Sequence, residues 1–401
     1  MVSLLLVVGV GVAVFVGFNI GGSSTGVAFG PAVGSGTVSK TAAAALMTFF
    51  ALLGGATVGT NVIRTMGGDI VPQDQFTLAA SVTVLFFVGL ALLVSNLFGV
   101  PASTSMTAVG AIAGLGLAEH TLQWRVMGQI VAWWLVAPVV AFWVSGVIGR
   151  YFYPTLVEWF AITQSDGSLF VLDRTGTVPR PRLGEETTPR EVFGTVLVVG
   201  IGCYMAFAAG ASNVANAIAP LVGNGALGET EGILLAGGAI GLGAFTIARR
   251  TMDTVGNDLT DLPLLAAIVV AVVSSTVVTV LSAIGIPASF VVIATMSIVG
   301  LGWGRATRTV TIEETMHGTA PDVSVGALTA DTEDAPTVGG EDGTPTTTET
   351  QAIGEERSED IPTADELFEP KTTARVVLMQ NLVPSIATIA SFLVFRLTPL
   401  V

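Results

Sequence analysis

Charge is what this chain has least of. Of its 401 residues only 11% are Asp, Glu, Lys or Arg, against roughly 25% in an ordinary soluble domain. Lysine occurs only at Lys40 and Lys371, and histidine only at His120 and His317. A soluble protein of this size needs charge on its exposed faces, so a large water-soluble enzyme is excluded. The single cysteine, Cys203, can form neither an internal disulfide nor a multi-cysteine metal site, which excludes a secreted disulfide scaffold. The net charge is −14 with no basic stripe, so nucleic-acid binding is excluded too. What fills the chain is apolar: 51% of residues are hydrophobic, another 48 are glycine, and the mean hydropathy is +0.76. This is the composition of a polytopic membrane protein.

The acidity has one address. Residues 311–370 hold 16 Asp/Glu and a single basic residue, Arg357, whereas the rest of the chain holds 14 acids and 15 bases. The segment is rich in Thr, Gly, Pro, Asp and Glu and lacks apolar periodicity, so it reads as a disordered, solvated loop. Scarce lysine beside abundant acid suggests a halophilic cytoplasm.

Ten apolar stretches reach or approach the roughly 17–25 residues needed to span a bilayer. They fall at about 2–20, 41–63, 76–98, 101–118 and 126–149, and again at about 192–217, 230–248, 262–285, 287–304 and 376–398. The first lacks a basic leader and a small-residue cleavage site, so it reads as a retained helix. With the N-terminus outside, 13 Lys/Arg fall inside and only Arg64, Arg125 and Arg396 fall outside, which fits the positive-inside rule. The chain then divides into a first transmembrane repeat (1–149), a cytoplasmic inter-repeat loop (150–191), four segments of a second repeat (192–304), the acidic loop (305–372) and a final transmembrane helix (373–401).

The halves repeat each other. GFNIGGSSTGVAFGPAVGSG (17–36) parallels AFAAGASNVANAIAPLVGNG (206–225), and GVPASTS (99–105) parallels GIPASFV (285–291). The order is the same, and Pro31 to Pro101 spans nearly the distance of Pro220 to Pro287. Five stretches per half, an odd number, make the second half enter from the opposite side. The expected fold is therefore an all-α polytopic membrane protein with two inverted-topology repeats and broken or re-entrant helices, an architecture of many secondary transporters.

Gly, Ser, Asn and Pro packed into an apolar run should break the helix, which is tolerated where the backbone lines a cavity or is buried in protein. A helix starting at such a break offers unpaired N–H groups and a positive dipole end to an anion. Pro101 suits a first helical turn, and Ser103, Thr104 and Ser105 add hydroxyls, giving an anion cradle without arginine. Close packing through small residues is the competing use of such clusters; their duplication in register favours a site.

These motifs carry a family resemblance. GASNVANA (210–217) resembles the G-A-N-D-V-A-N-A signature of the inorganic phosphate transporter (PiT) family. GPAVGSG (30–36) resembles its continuation, and GVPASTSMTAVGAIAGLG (99–116) resembles its G-x-P-x-S-T-[TS] segment. The resemblance implies cation-coupled import of inorganic phosphate, inverted repeats and a dimer. It also implies an anion site where the signature loops and Ser-Thr segments meet, here Ser23, Ser24, Thr25, Ser103, Thr104, Ser105, Ser212, Asn213, Asn216 and Ser289. The sequence departs from the pattern at telling positions. The signature aspartate is Asn213 in one copy and Ser24 in the other, Val27 stands opposite Asn216, and Phe290 and Val291 follow Ser289. Sulfate, carried by some relatives, is the alternative substrate, and an anion channel is the alternative of a different class.

Residues 1–39, 75–118, 192–228, 262–304 and 376–395 contain no Asp, Glu, Lys or Arg, and both histidines lie outside them. A membrane proton relay needs such groups, so Na⁺ is the expected coupling ion, held by Ser24, Asn213 and Asn216. No cofactor and no enzyme chemistry are expected, because no serine has a base beside it and Cys203 stands alone. The reading is an importer in the plasma membrane, its partners being the anion, sodium, the bilayer and a second copy of itself.

Overall fold

A backbone in lipid must satisfy its own N–H and C=O groups, and a helix does so within one segment. The computed structural model describes residues 4–34, 37–97, 103–153, 155–156, 170–173, 180–183, 189–248, 264–309, 370–398 and 400. In the first half the helices are α1 Leu4–Gly34, α2 Lys40–Thr57, α3 Gly59–Arg64, α4 Leu78–Leu97, α5 Thr104–Ala118 and α6 Trp124–Val147. In the second they are α7 Pro189–Gly223, α8 Glu229–Thr246, α9 Leu264–Ala283, α10 Phe290–Thr309 and α11 Pro370–Leu397. Each of the ten expected stretches holds a helix, and the second holds two, α2 and α3. Seven helices among the described residues are long and apolar enough to cross a membrane: α1, α2, α4, α6, α7, α9 and α11. The chain is an all-α, multi-pass membrane protein. Residues 311–369, the core of the expected acidic loop, lie outside the described residues, as does most of 150–191. Within the latter, Phe170–Asp173 and Arg180–Leu183 pair antiparallel, Phe170 opposite Leu183, so the inter-repeat segment carries a short hairpin that its sequence did not announce.

The helix breaks fall at only one of the two duplicated motifs. Both Gly-Ser-Asn copies were expected to interrupt their helices, yet α1 and α7 run straight through them, 31 and 35 residues long. At about 1.5 Å per residue each exceeds the roughly 30 Å hydrocarbon thickness. The polar side chains bond back to their own helix: Asn19 Nδ2 to the Phe15 carbonyl at 2.8 Å, Thr25 Oγ1 to Gly21 at 2.7 Å, and Ser23 Oγ to Asn19 and Ile20. Their hydroxyls thus supplement the helix ladder instead of replacing it. The glycines serve packing. A Cβ at Gly21 would strike the Ile240 carbonyl of α8, and one at Gly210 the Ala51 carbonyl of α2.

Helix ends appear instead at the Pro-Ala-Ser motifs. After α9, Gly285 takes φ 77°, Ile286 N–H bonds the Leu281 carbonyl and Gly285 N–H bonds Ser282, the two bonds of a Schellman stop. Pro287 follows, and Trp134 Nε1 on α6 holds its carbonyl at 2.8 Å. Ser289 then starts α10 by accepting Val292 N–H at 3.3 Å, as Ser103 starts α5 by accepting Met106 N–H at 3.2 Å.

The packing exchanges partners between the halves. Helix α1 lies on α8 as α7 lies on α2, and α5 lies on α11 as α10 lies on α6. The exchange holds residue by residue. Gly54 meets the Phe207 carbonyl and Gly243 meets that of Phe18; Gly114 meets Thr388 and Gly300 meets Phe142. Ser391 Oγ donates to the Ala111 carbonyl at 2.7 Å, and the equivalent Ser145 pairs with Ser297 at 2.6 Å. Pro138 lies inside α6 and Pro384 inside α11 at the matching place. Such reciprocal contacts are what a two-fold relation between the halves requires.

Because these approaches are backbone to backbone, they tolerate no methyl group. Gly210→Ala and Gly21→Ala should each lower stability by about 2 kcal/mol through overpacking. Gly200→Ala, with nothing within 4 Å of the added carbon, should be neutral or stabilising through helix propensity. Thermal unfolding of the purified variants in detergent checks both.

Candidate anion site

One cavity of about 60 Å³ gathers the duplicated motifs. Its walls are Ser23, Ser24, Val27 and Ala28 of α1, Leu92 and Ser95 of α4, Thr104 and Ser105 opening α5, and Met205, Ala209 and Asn213 of α7. Ala288 and Ser289 before α10, with Phe290 and Val291 opening it, complete the walls. The volume is well above the roughly 10–15 Å³ needed to hold one water, so the cavity has room for a small ion. None of its walls bears Asp, Glu, Lys, Arg or His.

Two helix starts meet here. The cap hydroxyls of Ser103 and Ser289 take up the third amide of α5 and α10. The first two amides, at Thr104 and Ser105 and at Phe290 and Val291, have no acceptor within their own helix, as at any helix start. Those amides and the two positive dipole ends favour an anion without a charged side chain.

A polar network backs the cavity. Asn216 Nδ2 donates to Ser105 Oγ at 3.1 Å and to Asn213 Oδ1 at 3.0 Å. Ser105 and Ser212 hydroxyls lie 3.1 Å apart, and Ser212 Oγ donates to the Ala288 carbonyl at 2.8 Å. Asn216 Oδ1 is buried with no partner, an acceptor held in reserve.

Of the ten expected residues, six line the cavity: Ser23, Ser24, Thr104, Ser105, Asn213 and Ser289. Ser212 and Asn216 stand one hydrogen bond behind the wall. Thr25 is fully buried on its own helix, bonded to Gly21, and Ser103 serves as the α5 cap, also off the cavity. Ser95 was missed. It is one of two serines in the apolar run of α4, with Ser81, and its position just before the first Pro-Ala-Ser motif is the only sequence signal for it. The apolar liners Leu92, Met205 and Ala209 carry no signal at all. Of the three expected cation ligands, Ser24 and Asn213 line the cavity, while Asn216 offers its unpartnered oxygen behind it.

The model of the phosphate transporter family matches residues 20–318, from within α1 into the acidic segment. The chain belongs to the phosphate transporter family. Sulfate permease CysP of Bacillus subtilis (strain 168) is 30% identical over 294 residues, covering 73% of this chain and 76% of that relative. A solved structure described as the sodium-dependent phosphate transporter superposes with a TM-score of 0.63 at 18% identity, covering 98% of this chain and all of that one; it shows the shared fold. Within the family fold, this member pairs a hydroxyl wall, Thr104 and Ser105, with an apolar wall, Phe290 and Val291, at equivalent positions of its two halves.

The two cap serines separate structure from binding. Ser103→Ala and Ser289→Ala should each cost about 1 kcal/mol of stability through the lost cap. Only Ser289→Ala should also raise the half-saturation for anion uptake, since only Ser289 faces the cavity. Melting curves alongside uptake kinetics of both variants check this.

Proposed function

We propose that this family member is a secondary active importer of an inorganic tetrahedral oxyanion, phosphate in the family's pattern, coupled to Na⁺. The carrying observation is the uncharged cavity, roomy enough for a small ion, at the meeting of two positive helix ends and a hydroxyl wall. The sodium-dependent phosphate transporter of the same fold supports both substrate and coupling. Two inverted repeats around the cavity would open it alternately to the two sides. The excess of basic residues on one set of loops supports a plasma-membrane placement with the N-terminus outside.

Coupling to Na⁺ rather than H⁺ follows from the donor set. No side chain at the cavity can gain or lose a proton near neutral pH, whereas amide and hydroxyl oxygens are hard ligands suited to such a cation. Asn216 Oδ1, buried and unpartnered, is the strongest candidate, with Asn213 and Ser24 beside it. Sulfate is the second reading, favoured by the absence of any carboxylate to accept a phosphate proton and by the likeness to the sulfate permease.

Uptake of radiolabelled phosphate and sulfate into proteoliposomes, with and without a sodium gradient, tests the proposal. Accumulation that depends on sodium is expected. Equal flux without sodium would mark a channel, and uptake driven by a proton gradient alone would reject the coupling. The pH profile should follow the protonation of the anion itself. Asn213→Asp places a carboxylate beside the neutral oxygens and should lower the Na⁺ concentration for half-maximal uptake several-fold, read from sodium titrations of the same vesicles.

A further inference from the structure

The hydrogen bonds behind the cavity have a direction that can be read bond by bond. The Ala288 carbonyl can only accept, so Ser212, 2.8 Å away, donates to it. A serine hydroxyl has one proton; the 3.1 Å contact between Ser105 and Ser212 therefore uses the proton of Ser105. Asn216 Nδ2 fills one lone pair of Ser105. Turning the Asn216 amide over would make its oxygen compete with Ser212 for that one proton, leaving one of the two contacts without a hydrogen. Ser105 thus faces the cavity with a lone pair and no proton to give. Asn213 differs, because Asn216 fills one lone pair of its oxygen while its amide protons and its second lone pair remain to offer.

The origin of this direction lies in the other repeat. Ala288 sits in the non-helical stretch between α9 and α10, where its carbonyl is available to a side chain rather than tied into a helix ladder. The break in the second half sets the polarity of a hydroxyl in the first.

We propose that Ser212 is a positioning residue that makes Ser105 a hydrogen-bond acceptor toward the cavity. The site thereby selects a tetrahedral oxyanion that carries a proton, hydrogen phosphate, over one that carries none, sulfate. This rests on the oxyanion reading above. Hydrogen phosphate keeps an O–H at neutral pH and can donate it to Ser105. Sulfate brings only acceptor oxygens, one of which would face the Ser105 lone pair with no hydrogen between them. Leaving a buried acceptor unmatched is worth roughly tenfold in affinity. A neutral acceptor fixed in this way does the work for which a carboxylate would otherwise be needed, without adding negative charge to an anion site.

The test is the ratio of phosphate to sulfate uptake by the full chain in proteoliposomes under a sodium gradient. Thermal shifts produced by each anion on the purified protein give a second readout that needs no transport. The unaltered protein should favour phosphate by roughly tenfold or more. Ser212→Ala frees the Ser105 proton to turn into the cavity, so the ratio should fall by roughly tenfold while sulfate uptake rises in absolute terms. A merely structural loss would lower both anions together. Preference of the unaltered protein for sulfate, an unchanged ratio in Ser212→Ala, or a change confined to its sodium requirement would overturn the inference. Neither uptake nor a thermal shift with either anion would instead overturn the oxyanion reading beneath it.

Discussion

Every polar atom inside this molecule has to find its partner without the help of charge. The membrane-spanning segments offer almost no Asp, Glu, Lys or Arg, and water is absent from a hydrocarbon interior, so an unpaired polar group costs several kcal/mol. The structure answers in three ways. Hydroxyls and amides along α1, α4 and α9 bond back to carbonyls of their own helix. Helix starts at Ser103 and Ser289 are capped. Four more, Ser105, Ser212, Asn213 and Asn216, are drawn into one network at the cavity wall. Several buried hydroxyls elsewhere, Ser275, Thr279, Ser282 and Thr295 among them, also stand without a partner, but at the cavity the unpaired groups, Asn216 Oδ1 and the helix-start amides, lie together.

Much of the architecture was legible because it depends on counts and order. Apolar run lengths gave the segments, and two motifs recurring at nearly equal spacing gave the repeat. What the sequence did not distinguish was a glycine that breaks a helix from one that lets another helix approach. Gly21 and Gly210 sit in motifs of the same composition as a break, yet each is opposed by a neighbouring carbonyl. Only the partner helix decides between the two uses, and that partner lies far along the chain. Pro287 and Gly285, by contrast, are local: a positive φ and a missing N–H end a helix wherever they occur.

The site was legible to the same extent. Residues clustered in motifs, such as Ser23, Ser24, Thr104, Ser105 and Asn213, meet at the cavity, because the repeat that made them visible also brings them together. Thr25 belongs to the same cluster but points into its own helix, since adjacent helical residues face different ways. Ser95 and Met205 had no such advertisement. The direction of the network was beyond any reading of the sequence, because it is set by the Ala288 carbonyl, a backbone atom that every residue possesses.

The reciprocal glycine contacts have a consequence for how such a protein can evolve. Backbone meets backbone at Gly21, Gly54, Gly210 and Gly243, so the helix arrangement does not depend on which side chains line the cavity. Drift at the scaffold is closed off, because any methyl group there pushes two helices apart. The walls are free to differ, and the two copies do: Thr104 and Ser105 answer to Phe290 and Val291, and Val27 answers to Asn216. Selectivity could therefore change one half at a time, each variant still folding on an unaltered frame.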